Sequence, residues 1–584
     1  MQLKPIADVL NPLNLNSPDL EMLRPDERRY TALLMQPKGP IFADKGRIGA
    51  FDQTEAKIKG RKFLETANER GATLAITPEY FLPWDTLSEG IAEGLVPPDN
   101  ALWVLGTESI TQEGLEGFKQ QVSDQCIIIH EPFEDLPRDR HILGTVALLF
   151  QTTHIDGTKK LIILIQFKTY ASRDDLFFEE SVLKRGSVVY QFKGINSPLT
   201  AAVIICADAF ALAEMDPQSL NNFSNQSTLI HIQLNPNPRN LAFRKYRTTT
   251  FGTDARATNC HIICLNWAQS IVQCDEQGNE VDDWLNIAGS TWYCPADSCS
   301  CKDEVILPNH QLGLYYGYMT ERRHALLFHY DEAVFELLVP KLFSFGSAVV
   351  ANLNGPVAVS RYEWQKGIKT WKNDVLPPET GFDNLIDRTP DTRLALTHVL
   401  SKNNAMNIER VLALSAGAIS GVEQWYIAKN IDSCQIAENE IINRVTVAQD
   451  NSESAANFRH MRLKPITHIH HELINYHKWP PQVSGVDKDS TINWSKRSPN
   501  FNVITSDKKP TLIVYLGDSP STDELGKAGD MFYHLLRKEG GPYQNRFCLI
   551  YRKYGEIKFA PLPAMTRIDN PIEDQTNFTS VTPF

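Results

Sequence analysis

Apolar positions in this chain gather into short runs separated by stretches of helical spacing. Tyr30–Gln36, Leu74–Thr77, Leu102–Gly106 and Cys126–His130 have the length and content of buried strands. Val146–Thr153 and Leu161–Lys168 flank Asp156-Gly157, a strong hairpin signal. Ala201–Cys206 is apolar throughout and reads as a strand, with a helical stretch from Ala207 to Leu220 after it. Leu229–Asn235 and Ile262–Asn266 read as strands, with a helix over Leu241–Asn259 between them. Early in the chain, Asp52 followed by Glu55 is spaced like a capping box. Ala56, Gly60, Phe63, Leu64 and Ala67 then recur at helical spacing, and Gly71 stops the helix. Strands alternating with helices, with a hairpin among them, predict an α/β layered sandwich rather than a purely parallel doubly wound sheet.

Past Phe345 the texture changes. Asp391–Ala416 and Val422–Gln449 have helical character, and Asn457–Asn502 is rich in His, Trp, Pro and Lys. Pro510–Gly517, Asp523–Lys538 and Phe547–Arg552 read as strand, helix, strand. The expected organisation is an extended, Pro- and Asn-rich N-terminal arm over 1–28 and a first domain over 29–345. A linker over 346–375 and a smaller α+β accessory domain over 376–584 follow.

Composition narrows the function classes. The 584 residues are 42% hydrophobic and 22% charged, which is globular composition and excludes disordered, collagen-like or coiled-coil chains. Lys+Arg total 58 against 70 for Asp+Glu, a net charge of −12 that argues against a wholesale nucleic-acid binder. Met1–Leu10 lacks the pattern of a signal peptide, and the longest apolar runs are too short to span a bilayer. Ten cysteines in this length do not form a disulfide framework, so the expectation is reduced thiols, a cytoplasmic protein and no membrane partner.

Three segments each place one reactive residue at the C-terminal end of an apolar strand, where open α/β layers commonly carry their sites. They are Ala75-Ile76-Thr77-Pro78-Glu79-Tyr80, Ile165-Gln166-Phe167-Lys168-Thr169-Tyr170 and Val203-Ile204-Ile205-Cys206-Ala207-Asp208. A carboxylate, an ammonium and a thiol are the parts needed for acyl transfer by a cysteine nucleophile. Each has a bland reading alone, as a small buried thiol or a solvated charge at a strand end. Their joint occurrence is the informative feature.

In this order the segments resemble the Glu-Lys-Cys triad of the carbon–nitrogen hydrolase, or nitrilase, superfamily. The resemblance runs from about Arg29 to Phe345. Thr77-Pro78-Glu79, Lys168-Thr169-Tyr170 and Ile205-Cys206-Ala207-Asp208 carry it. Phe178-Glu179-Glu180-Ser181 with Gly186, Asn235-Pro236 and Gly289-Ser290 are similar to three further landmarks. The chain departs from the family in having Ala207 for an aromatic, in the segment Ala209–Glu214, and in what look like insertions over Thr111–Asp139 and Cys294–Lys302. The resemblance implies a nitrilase-like α-β-β-α layered sandwich and hydrolysis of a small amide or nitrile through a thioester. It implies Glu79 as base and acid, Cys206 as nucleophile, and Lys168 with the Ala207 N–H as oxyanion donors. Glu180 would orient Lys168 or the substrate amine, with Glu179 as the alternative register. Tyr80, Tyr170, Ala207 and Asn235 are the implied substrate-binding positions. No metal or organic cofactor is implied, and a homodimer or higher homo-oligomer is. The alternative is a nitrilase-like scaffold or sensor whose C-terminal domain binds a protein or nucleic-acid partner.

Other signals are weaker. Cys274, Cys294, Cys299 and Cys301 do not have the spacing of a standard zinc site. His468, His470, His471 and His477 are dense, but position 475 is Asn, so His-Glu-x-x-His fails. Arg459, Arg462, Lys464, Lys478, Lys488, Lys496 and Arg497, interleaved with Tyr476, Trp479 and Trp494, read first as a solvated surface and second as a nucleic-acid contact. Leu516-Gly517-Asp518-Ser519, between a strand and a helix, lacks P-loop spacing. The layout is similar to that of glutamine-dependent NAD synthetases, but their Ser-Gly-Gly-x-Asp-Ser loop is absent and Leu414-Ser415-Ala416-Gly417 is a poor substitute.

Overall fold

The computed structural model describes residues 1–235, 243, 260–373, 390–397, 453–493 and 501–560, less short stretches within them, the largest being 174–177, 285–289 and 296–307. The chain divides into two compact units, residues 1–316 with 322–378, and residues 317–321 with 379–584.

The first unit is built on two large sheets, with a four-stranded and a two-stranded sheet beside them. A nine-stranded sheet has Arg29–Gln36, Leu74–Leu82, Leu102–Thr111, Ile142–Thr153 and Lys159–Phe167 as consecutive neighbours at its centre. The second, eight-stranded sheet has Gln2–Pro5, Val188–Lys193, Thr200–Ile205, Ser227–Ile232, Cys260–Leu265, Thr291–Pro295 and Arg323–Phe328 as consecutive neighbours. Their central strands are buried on both faces, which is why they read as continuous apolar runs without alternation. Gln166 shows how the sheets meet. From the first sheet, its buried amide donates to Val203 O at 2.9 Å and accepts from Tyr190 N at 3.1 Å, both in the second. Helices cover the outer faces, so the expected layered α/β sandwich is present.

The outer helix Gln53–Glu69 follows the sequence signals closely. The Asp52 side chain accepts from Glu55 N, and Ala56, Phe63, Leu64 and Ala67 are buried. Gly71, at φ +56°, takes the left-handed turn that ends it. The hairpin expected at Asp156-Gly157 joins Ile142–Thr153 to Lys159–Phe167, with Gly157 at φ +88°. The helix expected over Ala207–Leu220 is two, Asp208–Glu214 and Pro217–Ser224. The second is capped by Asp216, which accepts from Gln218 N and Ser219 N. The helix expected over Leu241–Asn259 lies outside the described residues, apart from residue 243.

Two boundaries are corrected. The N-terminal residues are not a separate arm: Gln2–Pro5 pairs in parallel with Val188–Gln191. Buried Lys341 binds Glu21 and Asp26, tying the next stretch down. The stretch 346–375 is not a linker either, because Val357–Gln365 pairs with Ala333–Pro340 and Thr370–Lys372 pairs with Glu363–Gln365. The first unit therefore reaches residue 378. Within the Thr111–Asp139 segment lie the helix Gln112–Val122 and the edge strand Ile127–His130.

The second unit holds a five-stranded sheet in the order Thr491–Ile492, Val503–Ile504, Pro510–Asp518, Phe547–Lys553, Glu556–Phe559. The expected strand, helix, strand is found as Pro510–Asp518, Thr522–Glu539 and Phe547–Lys553, with the two strands parallel. Leu512, Val514 and Leu516 cluster with Phe532 and Leu536 of that helix. Ile513 and Tyr515 cluster with Ile469 and Leu473 of the helix Glu453–Ile474 on the other side. The His468 ring stacks on Tyr515 at 4.4 Å, and His471 pairs with Glu472. Among the described residues there is no cluster of three metal-ligating side chains and no helix long and apolar enough to cross a membrane. Trp479 packs on Phe559, while Lys464, Lys478 and Lys488 are exposed. Val422–Gln449, Leu414–Gly417, Cys299, Cys301, His477, Trp494, Lys496 and Arg497 lie outside the described residues.

One close approach fixes the strand that carries Glu79. A Cβ at Gly106 would sit 2.1 Å from Pro78 O and 2.9 Å from Glu79 N, which are backbone atoms with no room to yield. Gly106→Ala is therefore expected to cost about 2 kcal/mol or more by overpacking, read as a lowered denaturant midpoint. An unchanged midpoint would contradict this packing.

Candidate active site

Cys206 follows the last residue of the strand Thr200–Ile205 and has φ +40°. A non-glycine residue in that region costs on the order of 1–3 kcal/mol and persists only where the surroundings hold it. They do so on several sides. Cys206 N donates to Ile232 O of the neighbouring strand at 2.9 Å. Asp208, two residues on and fully buried, takes Ile205 N on one oxygen at 3.0 Å. Its other oxygen accepts from Thr169 N, Thr169 Oγ1 and Tyr170 N at 2.8, 2.8 and 2.9 Å. One carboxylate thus pins the turn of the thiol to the residue after Lys168. Burial raises the Asp208 pKa, and these hydrogen bonds pull against it.

Lys168 is 1% exposed and sits between two carboxylates, with Nζ 2.7 Å from Glu79 Oε1 and 2.7 Å from Glu179 Oε1. Both carboxylates are equally buried. Burial alone would lower the lysine pKa, but Glu179, Glu79 and Cys206 outweigh it and the net shift is upward. The ammonium keeps its proton. Glu179 is held in place by Tyr80 OH at 2.7 Å and Ser172 N at 2.6 Å. Tyr80, at φ +58°, and Phe178, at φ +57°, are two more strained residues at this site.

Glu79 uses both oxygens. Oε1 accepts from Lys168 and Oε2 from Leu234 N at 2.8 Å, while Trp267 Nε1 holds its backbone carbonyl at 2.8 Å. Burial pushes its pKa up to about 7, with Glu179 adding to the rise and Lys168 opposing it. The Cys206 thiol is pushed well up by burial and by the nearby Glu79 carboxylate, while Lys168 pulls it down. Its Sγ lies 4.0 Å from Leu234 O, and the N–H of Leu234 donates to Glu79 Oε2, so thiol and carboxylate share one buried pocket of the fold.

The structure brings some of the residues expected from the sequence together and places others elsewhere. Glu79, Lys168 and Cys206 converge. Glu179, given as the alternative register, is the second carboxylate on Lys168. Glu180 is not: it is 62% exposed and pairs with Arg185 at 2.6 Å. The left-handed Phe178 sets this register by turning Glu179 inward at the start of the short helix Glu179–Val182. Tyr80 binds Glu179 rather than facing open space. Tyr170 is half-buried, with its ring edge-on to Phe210 at 6.1 Å. Ala207 is buried at the head of Asp208–Glu214. Asn235 is buried and hydrogen-bonded to Gln233 and Asn266. Pro236 and Gly289 lie outside the described residues, while Ser290 Oγ accepts from Asn266 N. Asp208 was quoted in its motif without a role. An acid two residues after a thiol at the end of an apolar strand was the available signal.

Reaction of Cys206 with iodoacetamide is expected to fall off on the acid side near pH 7, where Glu79 gains its proton. Glu179→Gln removes a negative charge that raises Glu79, so the acid limb should move to lower pH. The pH profile of the alkylation rate checks this, and a limb that stays or moves upward contradicts the assignment.

No family model and no curated protein matches the chain. Ten chains of solved structures match it, and two of them serve as examples. One is the NitFhit protein of C. elegans, at TM-score 0.22 and 12% identity, over 44% of this chain and 58% of that one. The other is a glutamine-dependent NAD(+) synthetase from Cytophaga hutchinsonii, at TM-score 0.27 and 8% identity, over 76% of this chain and 59% of that one. The matched part is less than two thirds of the length of either. The first unit itself sets two facing sheets between helices, with Glu79 and Lys168 supplied by one sheet and Cys206 by the other.

Proposed function

We propose that the first unit is a cysteine-dependent hydrolase of a non-peptide C–N bond, amidase-like, working through a thioester acyl-enzyme. The observation that carries this reading is the buried cluster in which Lys168 Nζ reaches Glu79 Oε1 and Glu179 Oε1 at 2.7 Å each, close to Cys206. The upward push that burial gives Glu79, to about 7, supports it. A general base or acid works best when its pKa lies near the working pH.

The steps balance on these side chains alone. Glu79 takes the thiol proton as Cys206 Sγ bonds to the substrate carbon, and the carbonyl π pair moves to oxygen. An ammonium has three N–H donors, and two of those of Lys168 go to Glu79 and Glu179. The third, with the Ala207 N–H, stabilises the oxyanion. The C–N bond then breaks, and Glu79 passes its proton to the leaving nitrogen. Water attacks the thioester, giving its proton to Glu79. The C–S bond breaks, and the proton returns to sulfur. Glu179 keeps Lys168 charged and fixed in direction.

Two variants test the proposal by ammonia release from a panel of small amides, nitriles and N-carbamoyl compounds. Cys206→Ala is expected to abolish turnover while the thermal midpoint is retained. Undiminished turnover would sink the reading. Lys168→Met is expected to lower kcat by about 10²–10³-fold, the loss typical of one oxyanion donor. A change confined to KM would assign Lys168 to ground-state binding instead.

A further inference from the structure

The strand next to the nucleophile's own carries buried polar side chains that the chemistry above does not use. His231 is fully buried in Ser227–Ile232, and Gln233 and Asn235 follow at alternate positions. His231 Nε2 lies 3.0 Å from the carbonyl oxygen of Cys206. That oxygen can only accept, so Nε2 carries the proton. In the neutral ring Nδ1 is then an acceptor. Gln233 Nε2, at 2.9 Å, supplies the donor, and Gln233 Oε1 accepts from Asn235 Nδ2 at 3.0 Å. Asn235 in turn exchanges two hydrogen bonds with Asn266, its N–H donating to Oδ1 and its carbonyl accepting from Nδ2, each at 3.0 Å. Trp267 N donates to Asn266 Oδ1 at 2.9 Å, and the Trp267 indole donates to the Glu79 carbonyl at 2.8 Å. The carbonyl of the nucleophile and the backbone of its base are thereby the two ends of one buried relay.

We propose that His231 is a positioning residue for Cys206. Through the proton on Nε2 it holds the Cys206 carbonyl, and Gln233 and Asn235 fix the tautomer that lets it do so. The Ala209 N–H occupies the same carbonyl at 3.1 Å, so both of its lone pairs are used. A clamped carbonyl sets the plane of the Cys206–Ala207 peptide, and with it the direction of the Ala207 N–H. It also holds Cys206 at its unfavourable φ, with the thiol turned to Glu79. On this account Asn235, expected to bind substrate, acts two side chains away from the thiol. The catalytic part of the proposal rests on the hydrolase reading; the effect on the thiol does not.

The test compares His231→Leu, which has no donor, with His231→Gln, whose amide reaches the position of Nε2. The readouts are the alkylation rate of Cys206 by iodoacetamide at pH 7 and, on any amide the wild type turns over, kcat and KM. His231→Leu is expected to lower both the alkylation rate and kcat. The kcat loss should be about 100-fold, as for a small misplacement of reacting groups, with KM within about twofold. His231→Gln should recover at least about tenfold of that loss. Should His231→Leu fail to fold, Gln233→Leu removes the donor that sets the tautomer and should show the same split more weakly. Wild-type alkylation in the Leu variant would overturn the proposal, as would equal losses in Leu and Gln tracking their thermal midpoints. A wild type without amidase activity but with the expected alkylation pattern would overturn the hydrolase reading and leave the positioning role standing.

Discussion

The site depends on keeping one ammonium ion inside the protein between two carboxylates. Removing each such ion from water costs several kcal/mol, recovered only when geometry is good and every remaining donor and acceptor is satisfied. Lys168 meets that condition through Glu79 and Glu179, and each carboxylate is braced in turn, one by Leu234 N and the other by Tyr80 and Ser172 N. Three unlike charges leave the group with a net negative charge next to the thiol, which keeps sulfur protonated at rest. It also makes Glu79 the group most ready to gain or lose a proton.

Such a cluster needs a rigid frame, because a small shift would leave a charge unpaired. The frame is the pair of facing sheets. Lys168 and Cys206 lie just past the ends of their strands and Glu79 inside Leu74–Leu82, and these positions are tied laterally by directional side chains. Asp208 joins the turn of Cys206 to the Lys168 segment. Trp267 joins Cys260–Leu265, through the residues that follow it, to the Glu79 strand. Left-handed backbone at Tyr80, Phe178 and Cys206 shows where this tying is strong enough to hold unfavourable conformations.

Much of this frame was legible in the sequence, for physical reasons. Central strands buried on both faces are largely apolar, so the runs Leu74–Thr77, Val146–Thr153 and Ala201–Cys206 mark the strands Leu74–Leu82, Ile142–Thr153 and Thr200–Ile205. The helix Gln53–Glu69 and the hairpin at Gly157 carry local signals that nothing distant overrides. Gln2–Pro5 and Val357–Gln365 were not legible: the first is a short strand made by a partner remote in sequence, and the second is half-exposed and made by Ala333–Pro340 beside it. Glu179 and Glu180 are adjacent and chemically alike, so only the backbone at Phe178 separates the buried one from the surface one. His231 and Gln233 interrupt an apolar strand pattern, and their purpose shows only once the carbonyl of Cys206 is seen beside them.

The position of Arg29–Gln36 bears on how the molecule assembles. One neighbour, Leu74–Leu82, follows soon after it in the chain, while the other, Ala333–Pro340, comes only after the whole second sheet has been laid down. A ribosome making this protein therefore exposes a long apolar strand with one edge unpaired for most of the synthesis of the first unit. Unpaired edges recruit other chains, and pairings this far apart in sequence form slowly. Until that last strand arrives, the nascent sheet is a natural client for chaperones, and the cluster of Glu79, Lys168 and Cys206 is completed before the sheet that supports it is closed.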